Sequence, residues 1–134
     1  MSEIKKIDRL ALVHIQGKKL LSVKNRGKDK FYPPGGKREI GESDVQALTR
    51  EIKEELNVDI LEDTLKFMDV FEGQAHGKPE GVMVKLTCYM GDFKGDIKIN
   101  EELEDITYLG YEDREQFPKE QMMIFNWLKE RNLV

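Results

Sequence analysis

Hydrophobic residues along the chain recur first with a period of two and then with a period near 3.6. Residues 10–15 form an apolar run, Gln16-Gly17-Lys18 turns the chain, and residues 19–24 return, which predicts a pair of strands. A lysine-rich loop, residues 25–30, leads to Phe31-Tyr32 and then to Pro33-Pro34-Gly35-Gly36. Residues 44–56 contain no Gly or Pro, and at about 100° per residue Val45, Leu48, Ile52 and Leu56 share one stripe, so this segment predicts an amphipathic helix. Ser43 or Glu42 caps its start, and the acidic side chains there suit the positive end of the helix dipole. Residues 65–71 and 82–89 predict two more strands, joined by a Gly-containing loop over residues 72–81. Residues 105–109 predict a short strand, and Pro118 opens a C-terminal helix reaching about Arg131. Its apolar residues include Met122, Ile124, Phe125, Trp127 and Leu128. The pattern alone predicts a mixed α and β protein.

The polar face of the first helix carries the candidate chemistry. Glu51, Glu54 and Glu55 form a second stripe beside the apolar one, with Ala47 among them, at the edge of the buried face. Like charges three and four residues apart repel by roughly 0.2–0.5 kcal/mol per pair on an exposed helix, and more as water is excluded. A divalent cation removes that penalty, and clustered hard oxygens suit Mg²⁺ or Mn²⁺. Arg50, four residues before Glu54, is placed to hold that carboxylate.

The spacing around these residues is specific. Gly36 is followed by five residues, Glu42, seven residues, and then Arg50-Glu51-Ile52-Lys53-Glu54-Glu55-Leu56-Asn57-Val58. This stretch resembles the Nudix box, the signature of the Nudix (MutT-like) hydrolases. One fixed position departs from the pattern: Asn57 stands where the family usually has Gly. That Gly serves a left-handed position at the helix end, where Asn is the next most tolerant residue, and no ligand is lost.

The resemblance implies an α/β fold, a Nudix-type α/β/α sandwich with a mixed β-sheet between helices. It implies hydrolysis of a nucleoside diphosphate linked to another group, X, with Mg²⁺ as cofactor and Mn²⁺ as an alternative. Glu51, Glu54 and Glu55 are then the metal ligands, joined by the Gly36 carbonyl and by Glu42, with Arg50 completing the catalytic set. Glu55 and Glu51 remain alternatives for the group that orients or deprotonates the attacking water. A further acidic ligand or base is expected just before the last strand, where Glu102 and Asp105 match best. Arg26, after the second strand, is expected at the substrate phosphates, and Gly35 and Gly36 let backbone approach the ligand closely.

The remaining residues narrow this reading. The 134 residues are expected to form one Nudix hydrolase domain, spanning 1–134. A net charge of −4 argues against a general nucleic-acid or membrane surface. No GxGxxG or P-loop is present. Cys88 lies in an apolar run and is expected to be buried and inert, His14 to be structural, and Trp127 to belong to the core. His76 is expected at a loop tip, within reach of a base or ribose. The N-terminal MSEIKKIDRL lacks the character of a signal peptide, so the cytoplasm is the expected location. The expected partner is a small-molecule nucleotide, with neither nucleic acid nor membrane, and a homodimer is left open. Two other functions are to be distinguished: removal of pyrophosphate from an RNA 5′ end, which needs a basic track for the strand, and a non-catalytic nucleotide-binding module.

Overall fold

The structure, a computed structural model, describes residues 5–134. The expectation drawn from the extreme N-terminus rests in part on residues 1–4, which lie outside the described residues. In chain order the strands and helices are β1 (Lys5–Val13), β2 (Ile15–Gln16), β3 (Lys19–Asn25), β4 (Gly35–Lys37), α1 (Asp44–Leu56), β5 (Asp59–Ile60), β6 (Lys66–Gln74), β7 (Val82–Met90), β8 (Phe93–Lys94), β9 (Leu103–Leu109) and α2 (Lys119–Glu130). Short 3₁₀ turns occupy Glu62–Thr64 and Tyr111–Gln116.

The main sheet has the order β4-β1-β7-β6. It is mixed: β1 runs parallel to β7 and antiparallel to β4, and β6 and β7 form the expected hairpin. A second sheet, β2-β3-β9, and the small β5-β8 pair complete the strands.

Alternation along β1 shows how the layers form. Leu10 and Leu12 join Ala47, Leu48, Ile52 and Leu56 of α1 in one core cluster. Ala11 and Val13 point the other way, into a cluster with Ile124, Phe125 and Leu128 of α2. A strand with both faces apolar reads as a continuous run, as residues 10–13 do. The sheet therefore lies between the two helices, and each fully buried Leu, Ile or Phe contributes about 1.5–3 kcal/mol.

Helix α1 has the expected bounds. Ser43 caps it through a reciprocal box: the Gln46 N–H donates to Ser43 Oγ at 3.1 Å, and the Ser43 N–H donates to Gln46 Oε1 at 2.9 Å. Asn57 ends it in the left-handed conformation, at φ 57°. The buried stripe differs slightly from the periodic one, because Ala47 is fully covered while Val45 is only half-buried. Cys88 is fully buried, which pushes its thiol pKa up. His14 Nδ1 lies 3.1 Å from the Gly91 carbonyl oxygen, a structural contact. Trp127 is half-buried, with Arg131 stacked 3.6 Å from its ring centroid.

Several elements lie beyond what the hydrophobic pattern predicts. Gly35–Lys37 is a strand, and its register with β1 sets Gly36 opposite Leu10 and Lys37 opposite Arg9. A Gly-Gly-Lys triplet has no alternation to reveal it. The two-residue strands β5 and β8 are too short to carry a period. Strand β9 begins at Leu103, two residues earlier than expected, and β6 extends to Gln74. No helix among the described residues is long and apolar enough to cross a membrane.

Candidate active site

Strand β4 carries two glycines under the last turns of α1, and both lack room for a side chain. A Cβ on Gly36 would overlap the Glu51 carboxylate, and a Cβ on Gly35 would overlap the Leu10 carbonyl oxygen. The Gly35 N–H donates to Glu55 Oε1 at 3.2 Å. The pair thus brings bare backbone against two carboxylates of the helix.

Arg50 organises the rest. Its Nε and Nη2 donate to the two oxygens of Glu42, both at 2.8 Å. Its Nη1 donates to Glu51 Oε1 at 2.9 Å, and Nη2 also reaches the Lys37 carbonyl at 3.0 Å. The expected contact with Glu54 is the longest of the set, at 3.4 Å. A guanidinium fork matches a carboxylate most closely when both oxygens are engaged, and Glu42 offers that geometry. Glu54 instead faces solvent, its side chain 60% exposed against 19% for Glu51. It stands outside the edge of the buried face where the helical stripe predicted it.

The electrostatics follow these contacts. Hydrogen bonds from Arg50, aided by the Glu39 N–H, hold the Glu42 carboxyl down at about 2. Carboxylate partners push Arg50 up, with Glu42 the main cause. Burial raises Glu51, against the opposing pull of Arg50. Burial likewise raises Glu55, to about 7, against the Gly35 N–H and the charge of Arg9. Burial thus raises both carboxyl groups, opposed by Arg50 at Glu51 and by the Gly35 N–H and Arg9 at Glu55.

The donor set fits a hard divalent cation. Glu51 and Glu55 are packed against the Gly35-Gly36 backbone, and Glu54 is their neighbour on the helix surface. Among the described residues no three acidic, His or Cys side chains already stand at the mutual spacing of a closed metal shell. Glu54 faces solvent, its side chain 60% exposed. Glu42 has both oxygens on Arg50 and a further hydrogen bond from the Glu39 N–H, so it is less free to coordinate than the other three.

A cleft of about 180 Å³ opens beside Glu55. Its lining includes Arg9, Tyr32, Gly35, Lys37, His76 and Lys78. His76 Nε2 lies 3.0 Å from Asp29 Oδ1, which ties the β6–β7 loop to the lysine-rich loop after β3. Arg26 does not line this cleft. It is exposed, and its Nε donates to the Glu101 carbonyl at 3.0 Å while its backbone N–H donates to the Glu102 carbonyl at 2.7 Å. Lys28 represents the same loop in the cleft instead. Glu102 is exposed on its turn, within electrostatic range of Glu55. Asp105 is exposed and accepts from the Ile106 N–H at 2.8 Å. Arg9, Tyr32 and Lys37 escape a reading of the sequence. Only the position of Arg9, a charge just before the apolar run of β1, is a signal there.

A family model described as the NUDIX domain matches residues 6–128. Over 98% of this chain and 99% of that one, the fold is similar to the MutT protein from Methanosarcina mazei Go1, with a TM-score of 0.79 and 18% identity. It is also similar to the E. coli ORF135 protein, with a TM-score of 0.75 and 22% identity over 96% and 92% of the two chains. A UDP-X diphosphatase matches with a TM-score of 0.70 and 17% identity over 98% of this chain and 66% of that one. No curated protein sequence matches. Nudix hydrolases act on nucleoside diphosphate derivatives and generally use divalent metal ions. An acidic helix braced on a Gly-Gly strand, within a sandwich matched by the family along most of its length, makes this chain a member of the Nudix hydrolases.

Proposed function

We propose that residues 1–134 form one cytoplasmic hydrolase domain. It cleaves the diphosphate of a small nucleotide, either a nucleoside triphosphate, including oxidised forms, or a nucleotide sugar. The carrying observation is the packing of Glu51 and Glu55 on the Gly35-Gly36 backbone beside a cation-lined cleft. The name UDP-X diphosphatase on one structural neighbour supports a nucleoside diphosphate linked to another group as the substrate type.

In this reading Glu51, Glu54, Glu55 and the Gly36 carbonyl hold Mg²⁺, which Mn²⁺ can replace. Glu102 is a candidate for a further ligand. When bound, the ion neutralises diphosphate charge and makes water a stronger nucleophile. Glu42 acts through Arg50, fixing the guanidinium that orients Glu51 and pins the Lys37 carbonyl. Glu55 or, alternatively, Glu51 orients or deprotonates the attacking water; without metal, burial holds Glu55 at about 7, and a cation bound to it would lower that value. Phosphoryl transfer needs mainly positioning and charge stabilisation, and both are supplied here by a rigid helix and strand.

A panel of nucleoside triphosphates and nucleotide sugars, assayed with Mg²⁺ for release of phosphate or pyrophosphate, tests the proposal. Turnover is expected to rise toward alkaline pH and to vanish in EDTA. Undiminished turnover in EDTA would remove the metal role from the helix carboxylates.

A further inference from the structure

Most arginines near the box are paired. Arg50 binds Glu42 and Glu51, and Arg38 binds Asp8 and Asp44. Arg9 differs. It is half-buried in β1, lines the cleft beside Glu55, and makes no ion pair among the described residues. Its direct cross-strand partner is Lys37, also a cleft residue without an ion pair among the described residues. Like charges directly opposite one another on an antiparallel pair destabilise the sheet. Glu51 and Glu55 lie within electrostatic range of Arg9 without pairing with it, and the cleft's other acid, the buried Glu120 of α2, also makes no ion pair among the described residues. Two adjacent cations left unmatched in a cleft suit an anionic ligand group. A guanidinium fork suits a phosphoryl group in particular, because it can donate two parallel hydrogen bonds.

We propose that Arg9, a strand residue outside the Nudix signature, binds substrate. With Lys37 beside it, Arg9 grips the phosphoryl group of the diphosphate that lies farther from Glu51, Glu54 and Glu55. The proposal rests on the reading of the site as a diphosphate hydrolase. It adds that recognition extends along β1, and that compounds with a single phosphoryl group bind poorly because they reach only one end of the site.

Two variants, Arg9→Gln and Arg9→Lys, test it through steady-state kinetics and through calorimetric binding of imidodiphosphate with Mg²⁺, a probe that resists hydrolysis. Loss of one or two charge-assisted hydrogen bonds predicts a KM and an imidodiphosphate Kd raised about 10–100-fold in Arg9→Gln. A contact uniform between ground and transition states leaves kcat within about threefold, whereas one on a leaving phosphoryl group lowers kcat as well, and in both cases the imidodiphosphate Kd rises. Arg9→Lys, which keeps the charge but loses the fork, should fall between. The melting temperature should not drop, because the repulsion with Lys37 is relieved. Unchanged KM and unchanged imidodiphosphate affinity overturn the proposal. So does a shifted acidic limb of the pH profile at constant KM, which would make Arg9 a group that only keeps Glu55 ionised. If the wild type hydrolyses nothing in the substrate panel, the hydrolase reading fails separately. Loss of imidodiphosphate binding in Arg9→Gln would still support the phosphoryl contact.

Discussion

Two adjacent glycines should respond to the same substitution in opposite ways. In Gly36→Ala the new methyl meets the end of the Glu51 side chain, a flexible group that can move. Gly36 does not have positive φ, so Ala can adopt its backbone conformation. Replacing Gly stabilises by about 0.4–1 kcal/mol through the unfolded chain. Displacing Glu51 from its rotamer costs about 0.5–1.5 kcal/mol. The two nearly cancel, so the melting temperature should stay within roughly 5 °C of wild type. Activity should not survive in the same way, since about 1 Å of misplacement in a catalytic constellation can cost ~10²-fold. In Gly35→Ala the methyl meets the Leu10 carbonyl oxygen and the Ala11 Cα, which are backbone and cannot swing away. A forced backbone shift of this kind costs about 1–3 kcal/mol, or roughly 3–15 °C at this size. Thermal melting in EDTA and steady-state kinetics with Mg²⁺ separate the two effects. A fully active Gly36→Ala enzyme, or one less stable than Gly35→Ala, would refute the argument from the glycine cradle.

Further tests address the helix. Glu54→Gln should fold normally and lose at least ~10²–10⁴-fold in kcat; near-normal kcat would make its exposed carboxylate a surface group. Asn57→Gly should be nearly silent in activity and neutral or slightly stabilising, because φ is 57° and Gly carries no steric penalty there. A large activity loss in that variant would give the Asn57 side chain a role in the site. Stability without metal should fall as pH rises from 4.5 to about 7, because folded Glu55 holds its proton more tightly than the unfolded chain does. Glu55→Gln should flatten that slope in melting curves taken in EDTA. Glu42 acts with the opposite sign: its stabilising contribution, present above 4.5, is lost as pH falls toward about 2. An unchanged slope in the Glu55→Gln variant would show that the wild-type fall arises elsewhere.

Helix α1, its start beside Ser43 and the left-handed end at Asn57 were legible in the sequence, because caps and hydrophobic period are local properties of consecutive residues, while the return bond from Ser43 to Gln46 came only with the structure. The spacing from Gly36 through Glu55 likewise identified the acidic helix and the loop that faces it. Tertiary structure decided which groups meet. Arg50 lies four residues from Glu54, yet its fork closes on Glu42, because the turn before α1 brings that carboxylate alongside with both oxygens available. Gly35–Lys37 is a strand only because β1 lends it hydrogen-bonding partners, and that pairing sets Lys37 opposite Arg9 at the cleft. Arg26 has the residue type expected at a phosphate, but its guanidinium is held by the carbonyl of Glu101, 75 positions away in the chain. Local periodicity records which face of an element is buried. It carries no record of which distant backbone oxygen or carboxylate the folded chain will set against a side chain, and the candidate site is assembled from such contacts.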